Sequence, residues 1–186
     1  MLQSNPQLCW RYLQQIEQAT RGARPNAGHQ ALAELHARFE RFTVLTQNVD
    51  GLHDRAGSRN ILKVHGDLWS LRCCSCGRER VDLSESIAPL PPHCACGGVE
   101  RPGVVWFGES LPRDVWARAE QAAREAQVFL VVGTSAVVYP AAGLVGLAKS
   151  SGAKVVEINI EETPVSGMVD ASLRGSAAEI LSTLAG

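Results

Sequence analysis

Residues 128–135 read VFLVVGTS, a run of five apolar residues that ends in Gly133, Thr134 and Ser135. Other short apolar runs lie at residues 42–45, 61–64, 104–107 and 154–158. Helical patterns lie between or beyond these runs, around residues 32–39, 112–126, 140–150 and 177–184. Strands that are apolar along their whole length are typical of a parallel sheet that is covered on both faces. The sequence therefore predicts an α/β fold built on a parallel sheet.

Polar residues follow the predicted strands at the points where the strands end. Gln47, Asn48 and Asp50 come after the first strand, His65 after the second and Asn159 after the last. Ligands of open parallel sheets gather at the carboxyl ends of the strands, so we expect a binding site there. Each residue alone is weak evidence, because an isolated histidine is more often structural than catalytic.

The composition is that of an ordinary globular protein, with 186 residues, 45% hydrophobic and 20% charged. This length suits one domain with a small inserted module. The formal net charge of -1 provides no strong positive field for a nucleic-acid backbone, so general DNA or RNA binding is disfavoured. No apolar run approaches the roughly 18 residues of a membrane helix, and the first residues lack the pattern of a signal peptide. We therefore expect a cytoplasmic protein that does not bind membranes.

Four of the six cysteines form two pairs, Cys73-x-x-Cys76 and Cys94-x-Cys96, each followed by glycine. About seventeen residues separate the pairs, which suits two turns that present four thiolates to one tetrahedral zinc ion. Four sulfur ligands leave no position for water, so this zinc is predicted to be structural. The surrounding residues 70–101 form the predicted zinc-binding module. Buried free thiols fit this segment poorly, because it is too polar to have a core of its own.

The ligand set has an alternative, since the second pair is one residue tighter than the usual spacing. His93 lies where a two-residue spacing from Cys96 would begin, so His93 and Cys96 could form the second pair. Cys74 lies inside the first pair, whereas Cys9 is far from the cluster and is expected to pack in a core. Without an export signal, cysteines are more often reduced and metal-bound than disulfide-paired.

Several motifs occur along the chain in a distinctive order. They are TQNVDGLH at residues 46–53, RAGS at 55–58, His65-Gly66, the two cysteine pairs, RPGVVWFGE at 101–109 and GTS at 133–135. In this order they resemble the sirtuins, the NAD-dependent protein-lysine deacylases, from about Asn26 to the C-terminus. The resemblance implies a Rossmann-like NAD-binding domain formed by residues 1–69 and 102–186, with the zinc-binding module inserted between them.

The resemblance assigns roles to the residues of the nicotinamide side. His65 would be the general base, a role that suits imidazole because it accepts protons near neutral pH. Gln47 and Asn48 would border the nicotinamide ribose. Asp50 would hold the nicotinamide carboxamide, since an ionised carboxylate offers only acceptors to an amide NH₂ group.

Further positions are implied for the rest of NAD and for the substrate. The remaining cofactor-binding residues would be Gly133, Thr134, Ser135, Asn159 and Ala177. The first three would line the adenosine and phosphate end, and Asn159 would lie near the adenine ribose. Val105 would bond the acyl-lysine amide through its backbone, and Phe107 would help to wall the acyl tunnel.

Two features of the sirtuin pattern are missing from this sequence. Sirtuins normally begin with a Gly-Ala-Gly-x-Ser turn, whose amides bind a pyrophosphate, and an Asp-Phe-Arg segment follows it. We therefore expect the given start to be internal to a longer chain, or the chain to be a reduced relative, and we expect weak NAD binding and slow turnover. Relatives that prefer succinyl-lysine carry Tyr-x-x-Arg in the leading helix, where this chain has Tyr12-Leu13-Gln14-Gln15. Acetyl-lysine is therefore the expected substrate.

The predicted function is an NAD-dependent deacetylase that converts acetylated protein lysine and NAD to lysine, nicotinamide and O-acetyl-ADP-ribose. A catalytically inactive peptide-binding module and a protein ADP-ribosyltransferase are the alternatives.

Overall fold

The computed structural model describes residues 5–82 and 87–186, which divide into two units. Unit 1 consists of the described residues of Met1–Arg24, Asn48–Leu52 and His65–Glu109. Unit 2 consists of Pro25–Gln47, His53–Val64 and Ser110–Gly186. Among the described residues, unit 1 has one buried apolar cluster and unit 2 has three.

Unit 2 contains five parallel strands, four of which the sequence predicted. They are β1 (Val44–Thr46), β2 (Ile61–Lys63), β6 (Val128–Val132), β7 (Lys154–Asn159) and β8 (Ala171–Arg174). Strands β1 and β2 pair in parallel, and β6, β7 and β8 form a second parallel sheet in that order. The α/β class with parallel sheets is therefore confirmed. Strand β8 was not predicted, because all four of its residues are exposed and it has no apolar run.

Helices cover the strands of unit 2 through small side chains. These helices are α2 (Ala27–Arg38), α4 (Arg113–Glu125), α5 (Gly143–Ser150) and α6 (Ala177–Ala185). Ala119, Ala123 and Ala148 are fully buried against Leu62 and Val64 at β2, so α4 and α5 approach the sheet closely. Helices α2 and α6 also pack closely against each other, since a Cβ on Gly28 would lie 3.1 Å from the carbonyl oxygen of Ala177.

Unit 1 is built from one long helix and an antiparallel sheet. Its elements are α1 (Pro6–Arg21), β3 (Gly66–Cys73), β4 (Glu79–Val81) and β5 (Glu100–Val104), and the short helix α3 (Leu52–Arg55) begins at its edge. The strand order is β4-β3-β5, and both pairings are antiparallel. The predicted strand at residues 104–107 is wrong: β5 ends at Val104, and the following residues form a loop.

The core of unit 1 lies between α1 and the sheet. Trp10 and Leu71 are fully buried there beside Cys9, which packs in the core as expected. The indole N–H of Trp10 donates to the carbonyl of Glu100 at 2.8 Å, so its polar atom is satisfied as well. In residues 5–82 and 87–186, no helix combines the length and the apolar character needed to cross a membrane.

Candidate active site and metal centre

Four cysteine sulfurs converge in unit 1. The Sγ atoms of Cys73 and Cys96 lie 3.5 Å apart, those of Cys76 and Cys94 lie 3.8 Å apart, and all four lie within 4.8 Å of one another. Sulfurs bound at about 2.3 Å to a tetrahedral zinc ion lie about 3.8 Å from each other, so this spacing fits zinc. The four cysteines are therefore positioned to bind a structural zinc ion, as predicted.

The alternative second pair does not match this geometry. In the part of the chain that the structure describes, the group that could share a metal ion contains Cys94 and not His93. His93 is exposed and pairs with Val99 in an antiparallel bridge. Cys74 is exposed and lies outside the group.

Backbone N–H groups of the first cysteine turn stabilise the thiolate form of Cys73. The N–H groups of Ser75 and Cys76 donate to the Cys73 sulfur at 3.4 and 3.5 Å. These bonds, first that of Cys76 and then that of Ser75, lower the pKa of Cys73 to about 6. At Cys96 the N–H of Gly98 lowers the pKa, but the neighbouring sulfurs raise it to about 11. Several thiolates in one place repel one another, and a zinc ion would remove that repulsion.

His65 lies at the junction of β2 and β3, half-buried, and its backbone is tightly held. Its carbonyl accepts the N–H of Val105 at 2.8 Å. Gly66 follows with φ +80°, and a Cβ there would lie 1.9 Å from the carbonyl oxygen of Gly103. Only glycine fits this approach, so the His65-Gly66 dipeptide anchors the histidine against the end of β5.

The segment Asn48–Leu52 carries two predicted site residues. Asn48 is exposed, and Asp50 is half-buried with its Oδ1 atom accepting the N–H of Leu52 at 2.9 Å. The carbonyl of Asp50 accepts the indole N–H of Trp69 at 2.9 Å. A carboxylate has about four acceptor positions, so the bond to Leu52 leaves capacity for another donor.

The loop after β5 is held by an ion pair between the buried Arg101 and the more exposed Glu109, which the sequence did not reveal. The guanidinium of Arg101 donates to both carboxylate oxygens of Glu109, at 2.5 and 2.9 Å, and lies 4.6 Å over the ring of Trp106. The N–H of Trp106 also donates to Glu109, and the Arg101 bonds are the main cause that lowers the pKa of Glu109. These contacts explain why residues 105–107 form a loop, with Phe107 fully exposed.

Three strand ends of unit 2 are joined by polar side chains. Gln47 after β1 donates to the Thr134 hydroxyl at 3.3 Å, and Asn159 at the end of β7 donates to the Thr134 carbonyl at 2.8 Å. Gly133 bonds through its N–H to the Ile158 carbonyl at 2.9 Å. The structure therefore brings Gln47, Thr134 and Asn159 together at the carboxyl ends of the strands.

The other predicted residues of unit 2 have different surroundings. Gly133 is exposed with φ +58°, and nothing lies within 4 Å of the place where a Cβ would stand. Ser135 is also exposed. Ala177 is half-buried as the first residue of α6 and packs on the cluster of Ala31 and Leu181.

Glu157 of β7 is the most deeply buried charge that the sequence analysis missed. It is fully buried, and its carboxylate accepts the hydroxyls of Thr163, Ser166 and Ser172 together with the guanidinium of Arg174. Burial raises its pKa, but these donors outweigh burial and lower the pKa to about 2. A lone glutamate between two apolar strand residues was the signal available in the sequence.

Comparison with known proteins adds to this geometry. The model of the Sir2 family matches residues 1–140. The chain belongs to the Sir2 family. Its sequence is 49% identical over 174 residues to an NAD-dependent protein deacylase of Aquifex aeolicus, covering 93% of this chain and 73% of that protein. The chain thus spans about three quarters of the length of that relative.

Solved structures of Sir2 proteins resemble the chain closely. One is the crystal structure of a Sir2 homologue in complex with NAD, with a TM-score of 0.94 at 44% identity, covering 99% of this chain and 72% of that one. Another is Sir2 bound to an acetylated peptide, with a TM-score of 0.88 at 30% identity, covering 98% of this chain and 79% of that one. The Sir2 fold explains both the parallel sheets of unit 2 and the cysteine cluster of unit 1.

Proposed function

We propose that this Sir2-family chain is an NAD-dependent protein-lysine deacylase whose preferred substrate is acetyl-lysine. The observation that carries the proposal is the bond between the His65 carbonyl and the Val105 N–H. This bond joins the backbone of the proposed base to that of the proposed substrate-binding segment within unit 1. The similarity to a protein deacylase and to a Sir2–acetylated peptide complex supports the same reaction.

Residues of unit 1 would act on the substrate and on the nicotinamide end of NAD. His65 takes a proton from a hydroxyl group during the reaction, which an imidazole does efficiently near neutral pH. Val105 already uses its N–H on His65, so its carbonyl accepts the N–H of the acyl-lysine amide. Phe107 offers an exposed ring for the wall of the acyl tunnel. Asn48 borders the ribose, and Asp50 accepts the carboxamide NH₂.

Residues of unit 2 would hold the rest of NAD. Gly133 suits this role, because the open space at its Cα lets a ligand approach the backbone. Thr134 and Asn159 are already fixed by hydrogen bonds, as is Gln47, which would border the nicotinamide ribose. Ser135 is exposed and Ala177 is the first residue of α6, and these two residues complete the proposed NAD-binding set. NAD, when bound, supplies the ribose carbon that receives the acyl oxygen as nicotinamide leaves.

Zinc would stabilise unit 1 without taking part in the chemistry. Cys73, Cys76, Cys94 and Cys96 are its ligands, and four thiolates leave no coordination position for water. Free thiols arranged for zinc also favour a reducing compartment, so we propose a cytoplasmic location. With a net charge of -1, neither nucleic acid nor an anionic membrane surface is proposed as a partner.

The acetyl preference rests on the charges of α1. Its arginines are Arg11, which comes directly before Tyr12, and Arg21, whose guanidinium pairs with Glu17 and lies over Trp69. Neither stands three residues after Tyr12, where Gln15 is found. A substrate carboxylate would therefore lack the bidentate cation that recognises succinyl-lysine in such sites.

The test is a single incubation of the chain with NAD and an acetyl-lysine peptide, followed by assays of nicotinamide and of peptide mass. A deacetylase releases nicotinamide while the peptide loses its acetyl group. Nicotinamide release with ADP-ribose added to protein would identify an ADP-ribosyltransferase, and no release would identify a binding module. A succinyl-lysine peptide run in parallel should react more slowly than the acetyl-lysine peptide, and equal rates would contradict the acyl preference.

A further inference from the structure

Trp69 is the best-fixed aromatic side chain next to the Asn48–Leu52 segment. It lies in β3, where the register with β5 is interrupted between Asp67 and Leu71. The backbone N–H of Trp69 donates to Asp67 Oδ1 at 2.7 Å, and the backbone carbonyl of Trp69 accepts the N–H of Asp82 at 2.8 Å. Hydrogen bonds therefore hold the backbone of Trp69 on both sides.

The indole ring is held as firmly as the backbone. The guanidinium of Arg21 lies 4.7 Å from the ring centroid, and Arg21 itself pairs with the buried carboxylate of Glu17. A cation over an indole face is a favourable contact, and the ion pair keeps that cation in place. The direction of the indole N–H is therefore set before any ligand binds.

The indole N–H of Trp69 is directed at the backbone of the candidate nicotinamide site. It donates to the Asp50 carbonyl at 2.9 Å, and one residue before Trp69 the N–H of Leu68 donates to the Val49 carbonyl at 3.0 Å. Gly51 has φ +71°, and a Cβ there would lie 2.5 Å from the indole nitrogen. The segment is thus drawn so close to Trp69 that only glycine fits beside the ring.

We propose that Trp69 is a positioning residue that fixes the Asp50 backbone and so orients the Asp50 carboxylate toward the carboxamide of NAD. The inference rests on the proposed function, in which Asp50 accepts that carboxamide. One Asp50 oxygen is already committed to the N–H of Leu52, so the carboxylate can serve the ligand only in a narrow range of orientations. The bond from Trp69 keeps the Asp50 peptide group within that range.

The test compares the binding of NAD with that of ADP-ribose, which has no nicotinamide, by calorimetric titration. Trp69→Phe keeps an aromatic ring that can lie under Arg21 and removes the N–H donor together with part of the indole ring, as the control variant below does at Trp10. We expect the Kd for NAD to rise about 3- to 10-fold, the usual effect of losing one hydrogen bond, while the Kd for ADP-ribose stays unchanged. Gly51→Ala is a second variant: its added Cβ would meet the Trp69 indole and push the same segment away from the ring, so it should weaken NAD binding selectively as well.

Trp10→Phe is the matched control. It also removes an indole-to-carbonyl bond in unit 1, but the acceptor is Glu100 rather than Asp50. It should lower stability without changing the ratio of the two affinities. If Trp69→Phe folds by circular dichroism and leaves both affinities unchanged, or weakens both equally, the positioning role is wrong. A wild-type chain that binds neither ligand would overturn the proposed function, and this inference with it.

Discussion

Units 1 and 2 are stabilised in different ways. Unit 2 has three buried apolar clusters among its described residues, and its helices rest on the sheets through alanine and leucine. Unit 1 has one such cluster in the same description, and around it lie the cysteine group and the ion pair of Arg101 with Glu109. Apolar burial is tolerant of small shifts, whereas metal ligation and bidentate hydrogen bonds specify geometry.

This difference suits the proposed roles of the units. His65, Asp50 and Val105 of unit 1 lie outside regular strands and helices, in positions that polar contacts determine. In unit 2 most of the proposed NAD residues lie at or just after the ends of β1, β6 and β7, so the sheet itself positions them, whereas Ala177 begins α6. Perturbations of the metal site and of the proposed base in unit 1 should therefore have larger effects than perturbations of unit 2.

Removal of the metal should have the largest effect. Cys96→Ser should reduce bound zinc from about one equivalent to almost none, because a structural site needs four ligands. Structural zinc contributes about 10–16 kcal/mol in small domains, so unit 1 should lose its structure. Metal analysis and hydrogen exchange measure both effects, and β6 and β7 should stay protected while β3 and β5 exchange faster.

Cys74→Ser is the control for this prediction, since Cys74 is exposed and lies outside the cluster. It should retain zinc and stability. Full metal content in the Cys96→Ser variant would refute the ligand assignment.

Loss of the proposed base should come next. His65→Ala should lower deacylation turnover about 10²- to 10⁴-fold, the usual contribution of a general base, with unchanged folding. His93→Ala, which removes the exposed histidine of the same unit, should leave turnover and zinc content intact. Steady-state kinetics and circular dichroism on both variants decide the matter, and unchanged turnover in His65→Ala would exclude His65 as the base.

Breaking the buried carboxylate network tests unit 2. Glu157→Gln should cost about 3 kcal/mol of the free energy of unfolding at neutral pH, since it removes the charge of a fully buried carboxylate that accepts three hydroxyls and a guanidinium. The pKa of Glu157 is lowered from 4.5 to about 2 in the folded chain, so its stabilisation is complete above pH 4.5 and is lost as the pH falls toward 2.

Urea unfolding of the wild type and of Glu157→Gln across this pH range measures the effect. The stability difference between them should shrink on acidification. A difference that stays constant from neutral pH to pH 2 would show that the charge of Glu157 contributes nothing.

The ion pair of the substrate loop should show the smallest effect. Glu109→Gln should cost about 1–2 kcal/mol, less than a fully buried pair, because the Glu109 side chain is 39% exposed. Since Arg101 lowers the pKa of Glu109, this stabilisation is present above the ordinary carboxyl pKa and is lost as the pH falls. The KM for the acetyl-lysine peptide should rise more than the KM for NAD, because residues 105–107 depend on this pair.

Glu125→Gln is the matched control in unit 2, where Glu125 pairs with the exposed Arg41. It should change stability by less than about 0.5 kcal/mol and leave both KM values unchanged. Equal changes in stability and in KM for Glu109→Gln and Glu125→Gln would remove the contrast between the units.

Local patterns in the sequence predicted many of the strands and helices. They were wrong where a short apolar run fits a loop as well as a strand. The runs at residues 128–132 and 154–158 predicted β6 and β7, because short, mostly apolar runs between helical patterns are typical of buried strands. The run at residues 104–107 has the same appearance, yet it forms a loop around Arg101 and Glu109. The local pattern at residues 104–107 did not show that the arginine would fold back onto a glutamate eight residues later.

The sequence by itself determined the α/β class, the parallel strands and the cysteine cluster, because periodicity and ligand spacing act over a few residues. The tertiary structure alone decided which distant groups meet. Trp69 reaches Asp50 across 19 positions, and Arg174 reaches Glu157 across 17. Such contacts depend on how sheets return the chain to the same place, and the strength of each depends on the burial that results.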